Sequence, residues 1–227
     1  MKKTVYSEAA YVIGILVLAL GTAFMERADF GVSMVVAPAY LLHLKVSHHL
    51  PFFSFGMAEY VFQAFVLILL GVVMKRFKLS YLFSFVTAVL YGLALDGSIW
   101  LTALLPGSGM LLRVAFYVAG MVLCSVGVAF LFHTYIAPEA YELFVKELSA
   151  KLGTKIHNTK TVYDCCSCFL GIVMSFVFFG FGHFEGVKLG TMFCAVVNGW
   201  MIGQIGKILE KRLVFRDACA MRKVFSV

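Results

Sequence analysis

The chain has 227 residues, 62% of them hydrophobic and 14% charged, and its mean hydropathy is +0.93. A soluble domain is about 45–50% apolar and about 25% charged, so the composition excludes a single aqueous core and indicates a polytopic membrane protein. The formal net charge is +7, but the basic residues are spread over separate segments, which argues against a nucleic-acid partner.

Six apolar runs reach the roughly 20 residues that a helix needs to cross a bilayer. We interpret the first as a retained span and not as a cleaved signal peptide, since no convincing small-residue cleavage site follows it. The last run is interrupted by glycines. The predicted spans lie near residues 9–26, 55–74, 81–104, 110–132, 161–182 and 189–206.

The basic residues predict the orientation of these spans. If the amino terminus is cytoplasmic and the spans alternate, most of the 19 Lys and Arg fall on the cytoplasmic side, as the positive-inside rule requires. Both termini are then predicted to be cytoplasmic. The cytoplasmic set is Lys2, Lys3, Lys75, Arg76, Lys78, Lys146, Lys151, Lys155, Lys160, Lys207, Lys211, Arg212, Arg216, Arg222 and Lys223.

The second half of the chain repeats the first. "YVIGILVLALGTAF" from Tyr11 matches "YVAGMVLCSVGVAF" from Tyr117, and "SFVTAVLYG" from Ser84 matches "TMFCAVVNG" from Thr191 at nearly the same separation. We therefore divide the chain into repeats at 1–107 and 108–227, the second with a short basic tail. Three spans in each repeat invert the second relative to the first, an arrangement found in many secondary transporters.

Each repeat also has a long connection after its first span. The first connection holds an apolar segment, 28–44, that is too short to cross a bilayer, and the second holds a helical pattern at 137–153 with Pro138 at its start. Two interpretations stay open for these segments: a re-entrant helix, whose amino-terminal dipole near the transport path would favour anions, or an interfacial amphipathic helix.

The motifs "ADFGVS", "VLYGLALD" and "LGTMFCAVVNGWMIG" make the chain resemble the YczE/YyaS/YitT-like family of bacterial integral membrane proteins. The resemblance covers about residues 8–210. It implies a six-helix protein of the bacterial cytoplasmic (inner) membrane and adds little about substrate. The chain departs from the family pattern at Lys188, before Gly190, and at Phe83-Ser84, where the other repeat has Gly-Thr.

Ionisable residues inside spans are costly and are therefore candidates for function. Glu59 and Asp164 occupy matching places in the two repeats, and Gln63 follows Glu59 on the same helical face. These acids would serve proton or cation coupling, with Tyr163 as polar lining. The structural alternative is a pair of acids at the head-group boundary that the helix dipoles stabilise.

Four further residues complete the candidate set. Asp96 in the third span is predicted either to pair with Arg113 near the outer interface or to contact substrate. Asn198 is predicted to bond across helices or to line the path. Arg27 and His133 end the first spans of the two repeats, where each would either hold an anion or extend toward the interface.

Three cysteines near the start of the fifth span, Cys165, Cys166 and Cys168, invite a metal interpretation. On a helix they point in different directions, and no paired zinc pattern is present. We therefore expect no metal and no cofactor. No nucleophile elbow or phosphate loop appears either, so an enzyme is not predicted.

These observations predict an all-α membrane protein with six transmembrane helices in an inverted 3+3 repeat. The predicted function is a small secondary-type carrier for an unidentified solute, with anions considered, by alternating access. The alternative is a non-transporting membrane scaffold that binds a partner protein or lipid. Since six short spans give a thin wall around any path, a homodimer is compatible with the carrier.

Overall fold

A computed structural model describes residues 3–78, 80–105, 109–181 and 187–218. Arg222 and Lys223, which we assigned to the basic tail, lie outside the described residues, as does most of the connection 183–188. The fold is almost entirely helical, and the described elements run β1-α1-α2-α3-α4-α5-α6-α7-α8-β2.

Six of the eight helices are long and apolar enough to cross a membrane by length and composition, which confirms the predicted class. The long helices are α1 (Ser7–Ala28), α3 (Phe55–Met74), α4 (Ser80–Ala103), α5 (Met110–Phe132), α7 (Ile156–Phe179) and α8 (Leu189–Arg212). The short elements are α2 (Ala37–Ser47), α6 (Ala140–Leu152), β1 (Lys3–Tyr6) and β2 (Leu213–Arg216).

Two predicted helix boundaries were wrong. Helix α7 begins at Ile156, five residues before the predicted 161, because the polar residues that precede the apolar run are helical as well. Helix α8 runs without interruption from Leu189 to Arg212, so its glycines do not break it. They serve instead as close-packing positions: the missing side chain of Gly199, for example, leaves room for the Thr161 hydroxyl of α7.

Helices α1 and α5 form the central pair of the fold. They meet at glycines in reverse order, Gly14 beside Gly127 and Gly21 beside Gly120, so the two helices run antiparallel. A methyl group added at Gly120 would lie 2.7 Å from the Gly21 carbonyl oxygen. The glycines shared by the two repeats therefore permit backbone contact between them.

The packing of the two repeats corresponds helix by helix. Helix α1 packs on α4 as α5 packs on α8, and α3 packs on α4 as α7 packs on α8. The short helices follow the same rule: α2 contacts α3 and α7, and α6 contacts α7 and α3. Each short helix therefore lies between its own repeat and the opposite one, so the repeats interlock.

Both short helices enter the molecule by their amino-terminal ends. Ala37 and Ala39 of α2 and Ala140 and Tyr141 of α6 are buried, while the carboxyl ends of both helices are exposed. Helix α6 is buried along most of its length, which excludes the surface amphipathic helix that we left open for 137–153. The amino-terminal ends of both short helices therefore lie among the six long ones.

Two hydroxyl groups at equivalent positions hold the amino-terminal ends of the short helices in place. Thr191 of α8 donates a hydrogen bond of 2.9 Å to the carbonyl of Val32, before α2. Ser84 of α4 donates to the carbonyl of Pro138, before α6. The first repeat has no Gly-Thr pair at this position, and the Ser84 hydroxyl donates the equivalent hydrogen bond in place of Thr191.

The first and last described segments pair with each other. Strand β1 lies parallel to β2, and Ser7 donates a hydrogen bond of 3.1 Å to Asp217. Glu8 accepts a hydrogen bond of 2.6 Å from Tyr135 on the same end of the molecule. The segment before α1 and the segment after α8 therefore lie at the same end of the helical bundle, as expected for an even number of spans.

A candidate solute- and ion-binding site

The first part of the candidate site is a buried ion-pair triad on α6 and α7. Lys160 Nζ lies 3.1 Å from Glu142 Oε1 and 3.1 Å from Asp164 Oδ1. All three side chains are at most 4% exposed. Lys160 and Asp164 are four residues apart on α7, so one helical face presents both groups. The triad has two carboxyl groups for one ammonium.

The second part joins α3 to the start of α6 through an amide. Gln63 Nε2 donates to Glu59 Oε2 at 3.2 Å and to Glu139 Oε2 at 3.1 Å, and Gln63 Oε1 accepts from the Ala140 backbone N–H. Tyr141 also donates to Glu59 Oε2, at 2.9 Å. Glu59, Gln63 and Glu139 are at most 1% exposed. Two carboxyl groups thus share one neutral donor.

Carboxyl oxygens without a hydrogen-bond partner in the described part of the chain occur in both parts of the site. Among the described residues, Glu59 Oε1, Glu139 Oε1 and Glu142 Oε2 are buried without a hydrogen-bond partner. Burial, followed by the nearby carboxyl groups of Glu142 and Glu59, raises the pKa of Glu139 well above its ordinary 4.5. We call the five ionisable residues of the two parts, Glu59, Glu139, Glu142, Lys160 and Asp164, the charged cluster.

A small closed cavity adjoins the charged cluster at the meeting point of the two short helices. Its volume is about 20 Å³, which holds about one water molecule. The segment before α2 lines one side with Ser33 and Val36, and Glu139, Glu142 and Lys160 line the other. The conformation is therefore closed around a polar centre.

Two equivalent hydrogen bonds flank this cavity. Tyr91 of α4 bonds to Thr22 of α1 at 2.9 Å, and Asn198 of α8 accepts from Ser125 of α5 at 2.9 Å. Both Tyr91 and Asn198 line the cavity. Asn198 thus forms the predicted bond between helices, and its predicted role as path lining stays a prediction.

Asp96 lies outside the cluster and caps α3. It accepts hydrogen bonds from the Ser54 hydroxyl at 2.7 Å and from the Gly56 N–H at 3.0 Å. A carboxylate at a helix amino terminus is stabilised by the free N–H groups there. The predicted Asp96–Arg113 ion pair was wrong, because Arg113 pairs with Asp29 at 3.0 Å instead.

Arg27 and His133 are also separate from the cluster. Arg27 donates to the carbonyl of Leu105 and lies over the ring of Phe116. His133 contacts the Ala129 carbonyl at 2.7 Å and lies 3.4 Å from Glu210. Both stabilise the ends of helices, so the structure does not bring them together with the acids.

Tyr163 lies at the edge of the cluster. The Lys160 ammonium is 5.8 Å from the centre of its ring, and Phe144 packs on the ring at a centroid distance of 5.5 Å. Tyr163 thus separates Lys160 from an open apolar pocket that Phe144, Leu148 and Val162 line. Its contribution is a cation–π contact and exclusion of water.

Three residues of the charged cluster escaped the sequence prediction of the site, Glu139, Glu142 and Lys160, as did Tyr141, which bonds to Glu59. The positive-inside count assigned Lys160 to a cytoplasmic loop, and this was wrong, since its side chain is 1% exposed inside α7. The i,i+4 spacing of Lys160 and Asp164 was the available signal. The sequence signal for Glu139 and Glu142 was weaker, because acids in the first turn of a helix are already explained by their interaction with the helix dipole.

The cysteines of the fifth span do not converge. Cys165 and Cys166 are exposed and Cys168 is buried. Within the described ranges, no group of three or more His, Cys, Asp or Glu side chains is placed to hold a metal ion.

The fold and the site define a helical, multi-pass membrane protein with a buried polar centre. Residues 5–207 match the model of a family of unknown function, DUF6198, and the chain belongs to this family. No curated protein matches the chain. No solved structure matches it either.

Proposed function

We propose that the protein is a small secondary-type carrier that moves a solute through the charged cluster by alternating access. The observation that carries this proposal is the cluster itself: four carboxyl groups and one ammonium, at most 4% exposed, lie beside the amino-terminal end of α6, among the long helices. Such groups are expensive inside a membrane and mark ion and substrate paths.

The charge of the cluster supports a cationic cargo or coupling ion. Four carboxyl groups face one ammonium, and the unpaired oxygens of Glu59 and Glu139 are acceptors without donors in the described part of the chain. An anion would add to this negative charge, whereas a proton or an amine would offset it. We therefore replace the anionic solute considered from the sequence with a cation.

The antiparallel central pair and the matching packing support an inverted repeat, the arrangement in which many carriers alternate between two open states. An inner-membrane location with cytoplasmic termini, and a relation to the YczE/YyaS/YitT-like proteins, belong to the same proposal. They rest on the basic loop residues and on the glycine motifs.

A ligand screen by thermal shift tests the proposal. Purified protein is heated with cationic, zwitterionic and anionic metabolites, and a ligand of the folded state raises the unfolding temperature by mass action. We expect a cationic metabolite to stabilise the wild type, and Glu59→Gln and Asp164→Asn to lose the shift while retaining the fold.

His133→Asn is the matched control, because His133 lies outside the cluster and should leave the shift intact. The ligand found is then followed as radioactive uptake into proteoliposomes. Unchanged binding and uptake in both acid variants would contradict the proposal. A stable protein that transports no ligand of the screen, but copurifies with a partner, would favour the scaffold.

A further inference from the structure

The two parts of the charged cluster differ in their supply of positive charge. Asp164 and Glu142 have Lys160 between them. Glu59 and Glu139 have the amide of Gln63 in the same role, and in the described part of the chain neither carboxyl group forms an ion pair. An amide supplies hydrogen-bond donors without a charge, so this part has a donor and no counter-ion.

Two carboxylates that share one neutral donor in an apolar interior repel each other. Both oxygens that accept from Gln63 lie within 3.2 Å of the same nitrogen atom. The pair relieves the repulsion when one carboxyl group binds a proton, and the two groups then titrate as one unit. The cavity of about 20 Å³ beside the pair is too small for a metabolite, but a proton fits without any change in the cavity.

The hydrogen bonds assign the proton to one member of the pair. Glu59 Oε2 accepts from both Gln63 and the Tyr141 hydroxyl, so its negative charge is stabilised twice. Glu139 Oε2 accepts from Gln63 alone, and Glu139 Oε1 has no partner among the described residues. Glu139 also lines the cavity, which gives its proton a water-sized space to leave through.

The groups that face Glu139 come from every surrounding helix. They are Tyr11 of α1, Glu59 of α3, Tyr91 of α4, Cys124 of α5, Tyr141 and Glu142 of α6, and Lys160 of α7. Of these, only Lys160 is positive at neutral pH, and it is engaged by Glu142 and Asp164. The surroundings therefore favour the neutral form of Glu139.

We propose that Glu59 and Glu139 form a proton-binding site, with Gln63 as the bridge and the proton on Glu139 in the closed conformation. The proton enters from water as a hydronium ion and forms the O–H bond of the Glu139 carboxyl group. Its release when a cation binds makes it the coupling ion, and this second step alone rests on the proposed function.

Infrared spectroscopy of the protein in lipid nanodiscs tests the site. A protonated carboxyl group has a carbonyl stretching band that a carboxylate lacks. At neutral pH we expect this band in the wild type and in Glu210→Gln, which removes an exposed glutamate, and its loss in Glu139→Gln. A wild type without such a band, or a band that Glu139→Gln leaves unchanged, would overturn the assignment of the proton.

Stability against pH gives an independent readout. An acid whose pKa is raised by folding takes up a proton when the chain folds, so its contribution is fully present below about 4.5 and falls as the pH rises toward the pKa of the folded state. One such proton changes the folding equilibrium constant up to about tenfold per pH unit. Glu139→Gln, which mimics the protonated acid, should flatten this dependence; an unchanged slope would overturn the proposal.

The two proposals fail separately. If the band is present and the ligand screen yields nothing, the proton site stands without the carrier. If a cationic ligand is transported and Glu139→Gln changes neither the band nor the pH dependence, the carrier stands and the proton site is wrong.

Discussion

Glu59 and Asp164 occupy equivalent places in the two repeats, yet their surroundings differ. Asp164 pairs with a buried lysine, whereas Glu59 bonds to an amide and a phenol. Part of the difference lies in the long helices themselves, where α7 has Lys160 and α3 has Gln63. The rest comes from the short helices: Glu139, Tyr141 and Glu142 lie at the start of α6, while the start of α2 is apolar. A nearly symmetric scaffold thus holds an asymmetric charge distribution.

The comparison indicates which features of the repeat serve the fold and which serve the site. The glycines of α1 and α5, the hydroxyls of Ser84 and Thr191, and the hydrogen bonds of Tyr91 and Asn198 occur in both repeats, and all of them fix packing. The ammonium of Lys160 occurs in one repeat only. Its equivalent position in the first repeat lies at the start of α3, which is apolar there.

The largest effect is expected from removing this ammonium. Lys160→Met leaves Glu142 and Asp164 buried without a cation, and breaking a buried ion pair in this way costs about 3–5 kcal/mol. Unfolding in detergent by denaturant measures the loss. Lys155→Met, at an exposed lysine of the same helix start, should change stability by no more than about 0.5 kcal/mol. Equal effects of the two variants would contradict the buried triad.

A smaller effect separates two equivalent glycines. Gly120→Ala places a methyl group 2.7 Å from the Gly21 carbonyl oxygen, and such overpacking costs about 1–3 kcal/mol. Gly14→Ala, the same position in the first repeat, meets chiefly the flexible Leu131 side chain at 3.1 Å and should cost less. Gly97→Ala has open space and should be neutral or stabilising. The order of the three unfolding midpoints checks the packing of the central pair, and a reversed order would contradict it.

Much of the fold was predictable because its signals are local. The six apolar runs are the long helices themselves, and Pro138 lies two residues before the start of α6. The repeated glycines lie within α1 and α5, the two helices that they bring together. Glu59, Gln63 and Asp164 could be chosen as candidates from the sequence, since a polar side chain inside an apolar run is conspicuous, and all three are buried in the structure.

The partners of these residues were not predictable, because they come from a segment that resembles a surface helix. Acids such as Glu139 and Glu142 are common in the first turn of any helix, where the helix dipole stabilises them. A lysine such as Lys160 is common in a cytoplasmic loop, as the positive-inside rule describes. Only the insertion of α6 between α3 and α7 brings them to Glu59 and Asp164. Such contacts depend on tertiary packing, which neither periodicity nor charge counting contains.

The central claim is that the charged cluster lies on a path that opens to either side of the membrane. Ser33→Cys, in a variant whose other six cysteines are replaced, puts a single thiol on the cavity wall. Membrane-impermeant maleimide is applied to vesicles of each orientation. The account predicts labelling from both sides, with a rate from each side that changes when the cationic ligand is added. Labelling from neither side would contradict alternating access through this site.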